Sequence, residues 1–220
     1  MASPSREQAA DSGAPNGNRA RATPVSTLSE DELSSAAQRE RRKRILDATL
    51  ALASKGGYDA VQMRAVAERA DVAVGTLYRY FPSKVHLLVS ALAREFEQFE
   101  SKRKPVAGQT PRERMHLLLT QVTRAMQRDP LLTEAMTRAF MFADASAAAE
   151  VDQVGRVMDR FFARAIEDGG DPTDRDLAIA RVISDVWLSN LVAWLTRRAS
   201  ATDVTERLEL TVDLLLGDKA

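Results

Sequence analysis

The sequence predicts an all-α protein with a small N-terminal three-helix part and a larger C-terminal helical part, about nine helices in all. Apolar residues recur at helical spacing from residue 36 onward, and Gly and Pro breaks divide the chain into segments of helix length. No segment with period-two alternation is bounded by hairpin turns. These observations together favour helices over strands throughout the ordered chain.

The first 34 residues predict a disordered tail. They are rich in Ser, Ala, Pro, Gly, Asn and charged residues, and their aliphatic bulk is confined to Val25, Leu28 and Leu33. Such a segment buries too little apolar surface to offset the entropy of folding. Order is therefore expected to begin near residue 35.

The first helix is predicted over about 36–55, because apolar residues such as Ile45 and Leu46 share one face and Gly56-Gly57 follows as a stop signal. Residues 39–44, Arg-Glu-Arg-Arg-Lys-Arg, form a basic cluster at its start. Cations are unfavourable at a helix N-terminus because the helix dipole is positive there. The functional interpretation is that a phosphate outside the fold offsets this cost. A solvated helix start is the alternative.

Two short helices follow, from Met63 to Ala70 and from Val74 to Phe81, with a tight turn over 71–73 between them. Short helix, three-residue turn and short helix form the outline of a helix-turn-helix. Pro82-Ser83 ends this unit, and Ser83 is the predicted N-cap of a fourth helix that reaches about residue 102. The sequence therefore predicts a DNA-binding unit near the N-terminus.

The second short helix is poor core material, since it is expected to turn only Leu77 and Phe81 inward. Its threonine, arginine and two tyrosines can donate hydrogen bonds to phosphate oxygens, and the tyrosine rings suit contacts with thymine methyl groups. Gly75 permits close backbone approach to another surface. Lys84 lies at the start of the fourth helix, where a phosphate is attracted by both the ammonium and the helix N-terminus.

Residues 109–216 form a second run of helices, separated by Asp129-Pro130 and by breaks at 169–172 and 200–203. A long helix from Thr173 to Arg198 carries Trp187 and Trp194 on nearly one face, and the last helix is predicted over 203–216. The large apolar residues of these helices suit either an ordinary core or an adaptable ligand cavity.

Composition excludes several classes of protein. The 220 residues have no net charge, are 45% hydrophobic and contain no Cys, so disulfides, thiolate metal sites and cysteine nucleophiles are absent and a cytoplasmic location is expected. The sequence contains no secretory signal and no long uninterrupted apolar run, so we expect no membrane association. His86 and His116, both predicted at the surface, lack metal-ligand spacing, so we expect no metal, no cofactor and no enzyme activity.

The chain from Arg39 to Leu88 resembles the TetR family of bacterial transcriptional regulators. The resemblance rests on three segments in the expected order and spacing: Ile45-Leu46-Asp47-Ala48, Arg64 to Ala70, and Gly75 to Phe81 with Ser83-Lys84. After the disordered tail that composition predicts over 1–34, the resemblance implies a helix-turn-helix domain over 35–82 and a ligand-binding and dimerisation domain over 83–220. Asp71, Ala73 and Val85 depart from the family's usual Gly, Ser and Glu.

The resemblance also implies which residues contact double-stranded operator DNA. Base-edge contacts are expected from Arg64, Val74 and Gly75. Phosphate contacts are expected from Thr76, Tyr78, Arg79, Tyr80 and Lys84. The last two helices are expected to form a homodimer interface, so that two recognition helices read a palindrome.

Further segments, 124–154 and 178–205, resemble regulators of sterol breakdown within the family. This resemblance implies repression of steroid-degradation genes, relieved by a coenzyme A thioester of an early sterol breakdown product. The expected pocket residues are Met136, Phe140, Phe161, Ser184, Trp187, Asn190, Leu191 and Trp194. The alternatives are an enzyme acting on lipids and a purely architectural DNA-binding protein, which would not need so large a second domain.

Overall fold

The computed structural model describes residues 35–102, 110–167 and 169–217, and these residues form α-helices with no strand. The all-α prediction is confirmed, while the predicted tail lies outside the described residues. A short 3-10 helix, Ala145–Ala147, precedes α7. The helices are α1 Ala36–Ala60, α2 Met63–Arg69, α3 Val74–Tyr80, α4 Lys84–Ser101, α5 Pro111–Arg128, α6 Pro130–Met141, α7 Ala148–Ile166, α8 Asp174–Leu195 and α9 Ala201–Leu216.

Helix α1 is interrupted at the two glycines that were expected to end it, and a further turn follows them up to Ala60. The helix kinks at Gly56 and Gly57, and Gly57 has a φ of 66°, a conformation that favours glycine. The last turn then packs against α6, where Gly57 is buried beside Leu131 and Glu134. The regular helix therefore ends at the glycines, as the sequence predicts, and the further turn that follows them packs on α6.

The helix-turn-helix is formed by α2, α3 and the three residues between them. Asp71 has a φ of 53°, so it occupies the left-handed conformation in the position where the family usually has Gly. Ala73 is the N-cap of α3 and makes no side-chain capping bond. The unit closes over a core that includes Leu46, Val66 and Leu77.

Helix α4 connects this unit to the rest of the molecule and is buried along most of its length. Arg94 donates to the carbonyl of Lys43 at 3.2 Å and pairs with Asp47 at 2.8 Å, which ties α4 to α1. Ser83 is the N-cap residue, as predicted, but its side chain makes no capping bond to the backbone. Its hydroxyl instead lies 2.8 Å from Nδ1 of His86.

The prediction of a surface position for His86 was wrong, because the side chain is only 3% exposed. Its Nε2 lies 3.1 Å from the carbonyl oxygen of Ser146, in the 3-10 turn before α7. The neutral tautomer with hydrogen on Nε2 satisfies both contacts, since Nε2–H donates to the carbonyl and the Ser83 hydroxyl donates to Nδ1. α1, α6 and α7 all pack on α4 and leave it little free surface.

The C-terminal bundle contains α5 to α9, and three of its helices begin with capping boxes, at Thr110, Thr173 and Ser200. These caps explain why α9 begins two residues before the predicted position. Helix α8 ends at Leu195 rather than Arg198. Buried Arg114 of α5 donates to the carbonyls of Ala165 at 2.9 Å and Ile166 at 2.5 Å, and so caps the C-terminus of α7.

Helix α8 is long and apolar enough, by length and composition alone, to cross a membrane, with a mean hydropathy of 1.3 in its most apolar window. One such helix is weak evidence of a membrane span, because helices of soluble proteins meet the same criterion. Only 33% of that window is buried within the chain. Much of the apolar surface of α8 therefore faces outward.

Candidate DNA-binding surface and effector cavities

The outward face of α3 presents four of the predicted DNA contacts together. Val74 is 37% exposed and Tyr78 is 48% exposed, and Gly75 and Arg79 are also exposed. Residues at these spacings share one side of a helix. A Cβ atom on Gly75 would have no neighbour within 4 Å, so the backbone here is open to a close partner. Arg64 is exposed on α2.

The other side of α3 faces the core and includes one residue that we expected on DNA. Tyr80 is only 1% exposed, and its ring centroid lies 6.4 Å from that of Phe81. Tyr80 follows Tyr78 by two positions, which is a rotation of about 200° around the helix axis. The two rings therefore point in opposite directions. The assignment of Tyr80 to phosphate is therefore corrected, because its hydroxyl is enclosed by the domain. Thr76 is half-buried.

Lys84 is half-buried at the start of α4 and already makes contacts within the protein. Its Nζ donates to the carbonyl of Tyr58 at 3.2 Å and lies 3.8 Å from the centroid of the Tyr58 ring. Desolvation lowers the pKa of Lys84 below its ordinary value, opposed by Asp59 and reinforced by Arg138. No local sequence pattern indicates this contact, since Tyr58 is 26 residues away in the chain.

The basic cluster at the start of α1 divides into surface and core positions. Arg39, Lys43 and Arg44 are exposed, whereas Arg42 is buried with its guanidinium carbon 5.5 Å from the Phe81 ring centroid. A cation stacked on an aromatic ring contributes to packing. Three of the five cations thus extend the positive surface of the N-terminal unit, and Arg42 supports its core.

An inner cavity of about 110 Å³ lies between α4, α5 and α6. Its walls are mainly apolar and aromatic, and Met136 is the one predicted pocket residue among them. Glu95 is also in the wall, and burial raises the pKa of its carboxyl above the ordinary value despite the nearby Arg94. The wall includes Leu92, Phe96, Phe99, Val122, Met126 and Leu132.

A second opening, which we term the outer cleft, lies between α5 and α9 and has a volume of about 390 Å³. Polar side chains such as Thr120, Arg124 and Thr205 line it. Thr123 and Gln127 also line a narrow crevice of about 10 Å³, whose other walls include three predicted pocket residues. Those three residues are Trp187, Leu191 and Trp194.

The remaining predicted pocket residues line none of these three spaces. Phe161 is fully buried and packs edge-on against Phe99, with ring centroids 5.7 Å apart, and Phe140 packs against the same core. Ser184 and Asn190 are buried. Within the described part of the chain, the Ser184 hydroxyl and the side-chain carbonyl of Asn190 have no hydrogen-bond partner.

The aromatic side chains connect the inner cavity to the crevice. The Phe96 ring, in the cavity wall, lies 6.0 Å from the Trp187 ring in an edge-on arrangement, and Trp187 Nε1 lies 3.4 Å from the hydroxyl of Thr123. Sequence reasoning missed Phe96, Phe99 and Met126 as wall residues, because a cavity residue and a core residue have the same apolar pattern.

Residues 35–102, 110–167 and 169–217 contain no cluster of three potential metal ligands.

Large apolar side chains of α8 and α9 are exposed at the surface of the described part of the chain. Val182 on α8 is half-exposed, as is Leu210 on α9, and Leu214 is 76% exposed. Both helices belong to the pair that was expected to dimerise.

The known proteins that are similar to this chain are transcriptional regulators. Residues 45–91 match the sequence model described as bacterial regulatory proteins, tetR family, and residues 108–215 match the tetracyclin repressor-like C-terminal domain. The chain is 78% identical to the HTH-type transcriptional repressor KstR of Rhodococcus jostii over 201 residues, 91% of this chain and 94% of that protein. It is 73% identical to KstR of Mycolicibacterium smegmatis, over 89% of this chain and 96% of that one.

Solved structures give the same fold. A TetR transcriptional regulator from Rhodococcus sp. RHA1 has a TM-score of 0.74 at 32% identity and covers 84% of this chain and 100% of its own. Thermus thermophilus FadR, solved with lauroyl-CoA, has a TM-score of 0.57 at 23% identity, over 81% of this chain and 95% of its own. The chain is therefore not an enzyme but a helix-turn-helix transcriptional regulator, and it belongs to the tetR family of bacterial regulatory proteins.

Proposed function

We propose that the protein is a dimeric repressor of sterol-catabolism genes, which binds palindromic operator DNA and is released by a coenzyme A thioester of an early sterol breakdown product. The observation that carries DNA binding is the outward face of α3, where an exposed tyrosine, an exposed arginine and an open glycine backbone lie on one side of a short helix. Such a regulator acts on DNA in the cytoplasm.

The contacts divide into two kinds. Arg64, Val74 and Gly75 meet base edges in the major groove, while Thr76, Tyr78, Arg79 and Lys84 contact phosphates. Base contacts set the sequence preference, and phosphate contacts set the register and most of the salt dependence. Tyr80 is left out of this set because its side chain is enclosed in the core.

Dimerisation through α8 and α9 is supported by the apolar surface that these helices leave uncovered. Half-exposed Val182 and Leu210 and the largely exposed Leu214 lie on the two helices. A second copy that covers this surface would also account for the high hydropathy and low burial of α8. Two recognition helices then meet half-sites about 34–36 Å apart, or a multiple of this distance.

Support for the inducer class comes from the relatives and from the cavities. Relatives 70–78% identical to this chain are named KstR repressors, and a more distant fold relative was solved with a fatty acyl-CoA. The inner cavity, at about 110 Å³, is smaller than the 300–1,000 Å³ typical of sites for drug-sized ligands. A steroid group bound in the inner cavity would have to enlarge it, and the Met and Phe side chains of its walls suit that change.

Enlargement of the inner cavity is the proposed route of release. Its walls include residues of α4 and α6, which both pack against α1 of the N-terminal unit. A ligand shifts the protein between two arrangements only through a difference in its affinity for them. In this proposal the cavity is expanded when the ligand is bound, and it is small when the protein is bound to its operator.

Fluorescence anisotropy tests the proposal. The protein is titrated into labelled palindromic duplexes from steroid-catabolism promoters, alone and with a steroid acyl-CoA thioester, free coenzyme A or the parent sterol. Tight binding released only by the thioester is the expected result. Tight binding insensitive to every thioester would refute the inducer class, and binding without sequence preference at moderate salt would refute the repressor itself.

A further inference from the structure

We propose that Tyr58, at the end of α1, is a positioning residue that holds Lys84 for its phosphate contact and connects that contact to α6 through Arg138. This inference rests on the operator binding proposed above. It assigns a role to a side chain that touches neither DNA nor inducer.

The first half of the connection is between Tyr58 and Lys84. The ammonium is held twice by the same residue, with Nζ 3.2 Å from the backbone carbonyl and 3.8 Å from the ring centroid. A free lysine side chain loses rotamer entropy when it is fixed. An ammonium that is already held before DNA arrives avoids part of this loss, and it keeps donors for a phosphate oxygen.

The second half is between Tyr58 and α6. The guanidinium carbon of Arg138 lies 4.3 Å from the centroid of the same ring. Arg138 is oriented by Glu134 at 3.8 Å, one turn earlier on α6, and by Asp59 at 3.9 Å on α1. One aromatic ring therefore contacts a cation from the DNA-binding corner of α4 and a cation from α6.

Helix α6 also forms a wall of the inner cavity, through residues that include Leu132, Thr133 and Met136. Met136 is two residues from Arg138, so the two side chains lie on different sides of the same helix turn. A displacement of α6 that widens the cavity therefore moves Arg138 relative to the Tyr58 ring. Loss of that stacking frees the ring, and with it the ammonium of Lys84.

The first test uses Tyr58→Leu, with Tyr58→Phe as its matched control. Phe keeps the ring and the carbonyl, and it is expected to retain the wild-type dependence of operator affinity on salt. Leu removes the ring, and we expect operator affinity to fall about 3- to 10-fold, as for one weakened charge-assisted contact. The plot of log affinity against log salt should become shallower by up to about one unit.

Non-additivity separates this role from a general loss of stability. If Tyr58 acts through Lys84, the double variant Tyr58→Leu with Lys84→Ala should bind operator as Lys84→Ala alone does. A purely structural role would lower the melting temperature and leave the salt dependence unchanged. Unchanged salt dependence in folded Tyr58→Leu, or additive losses in the double variant, would overturn the proposal.

The second test uses Arg138→Gln, which leaves Tyr58 and Lys84 intact and remains informative if Tyr58→Leu does not fold. The ratio of operator affinities without and with a cholesterol-derived acyl-CoA thioester should shrink by about 2- to 30-fold. An unchanged ratio would overturn the link to α6. Failure of the wild-type protein to bind operator would instead refute the proposed function, so the two failures are distinguishable.

Discussion

Tyr80→Phe should stabilise the protein without weakening its binding to operator DNA. The substitution removes one oxygen from a side chain that is 1% exposed, and that hydroxyl has no hydrogen-bond partner within the described part of the chain. A buried hydroxyl without a partner costs about 1–3 kcal/mol. We take the lower end, about 1 kcal/mol, because Tyr80 ends α3, where small motions admit water.

Thermal unfolding at a fixed protein concentration measures this gain, since dimer stability depends on concentration. For a chain of 150–250 residues, 1 kcal/mol corresponds to a rise of about 2–4 °C in Tm. Tyr78→Phe is the matched control, because Tyr78 lies on the exposed face of the same helix. It should leave Tm unchanged and weaken operator binding about 10- to 150-fold, the loss of one hydrogen bond to a charged group.

A lower Tm for Tyr80→Phe would mean that its hydroxyl has a stabilising partner. Operator binding weakened as much as in Tyr78→Phe would mean that the hydroxyl reaches DNA. Either result would refute the division of α3 into a core face and a DNA face.

Three further predictions concern caps and charge. Ala73→Ser should supply the missing cap of α3 and raise the free energy of unfolding by about 1 kcal/mol, measured by urea titration. Arg114→Met should lower it by about 2–4 kcal/mol in the same assay, because two carbonyls at the end of α7 lose a charged donor. Hydrogen bonds from Arg112 and His116 lower the pKa of Asp213 from 3.8 to about 2, so its stabilisation is complete above pH 3.8 and is lost as the pH falls toward 2. Asp213→Asn should therefore be less stable than the wild type at neutral pH and equally stable at the acid end of that window, as measured by thermal melts across pH.

The elements with local signals were predictable from the sequence. The short helices, the turn at Asp71 and the break before α6 depend on residues within a few positions of one another. The opposite faces of Tyr78 and Tyr80 were also predictable, because two residues cover more than half a helical turn. The grouping of both tyrosines as DNA contacts neglected that geometry.

Features that depend on distant partners were not predictable. His86 is buried because its ring meets a carbonyl 60 residues away, and Lys84 is held by a tyrosine 26 residues earlier. The pocket residues present the same difficulty, since Phe161 in the core and Phe99 in the cavity wall have the same residue type and the same helical periodicity. Only the packing of whole helices separates core from wall.

The packing of α1 along α6 has a consequence for how the molecule melts. The kinked end of α1 buries Gly57 against α6, and Arg94 fixes the middle of α1 to α4. The N-terminal helices α1 to α3 therefore complete their packing with α4 and α6. We expect a single cooperative heat-absorption peak in calorimetry, because neither part retains a closed surface after the other unfolds.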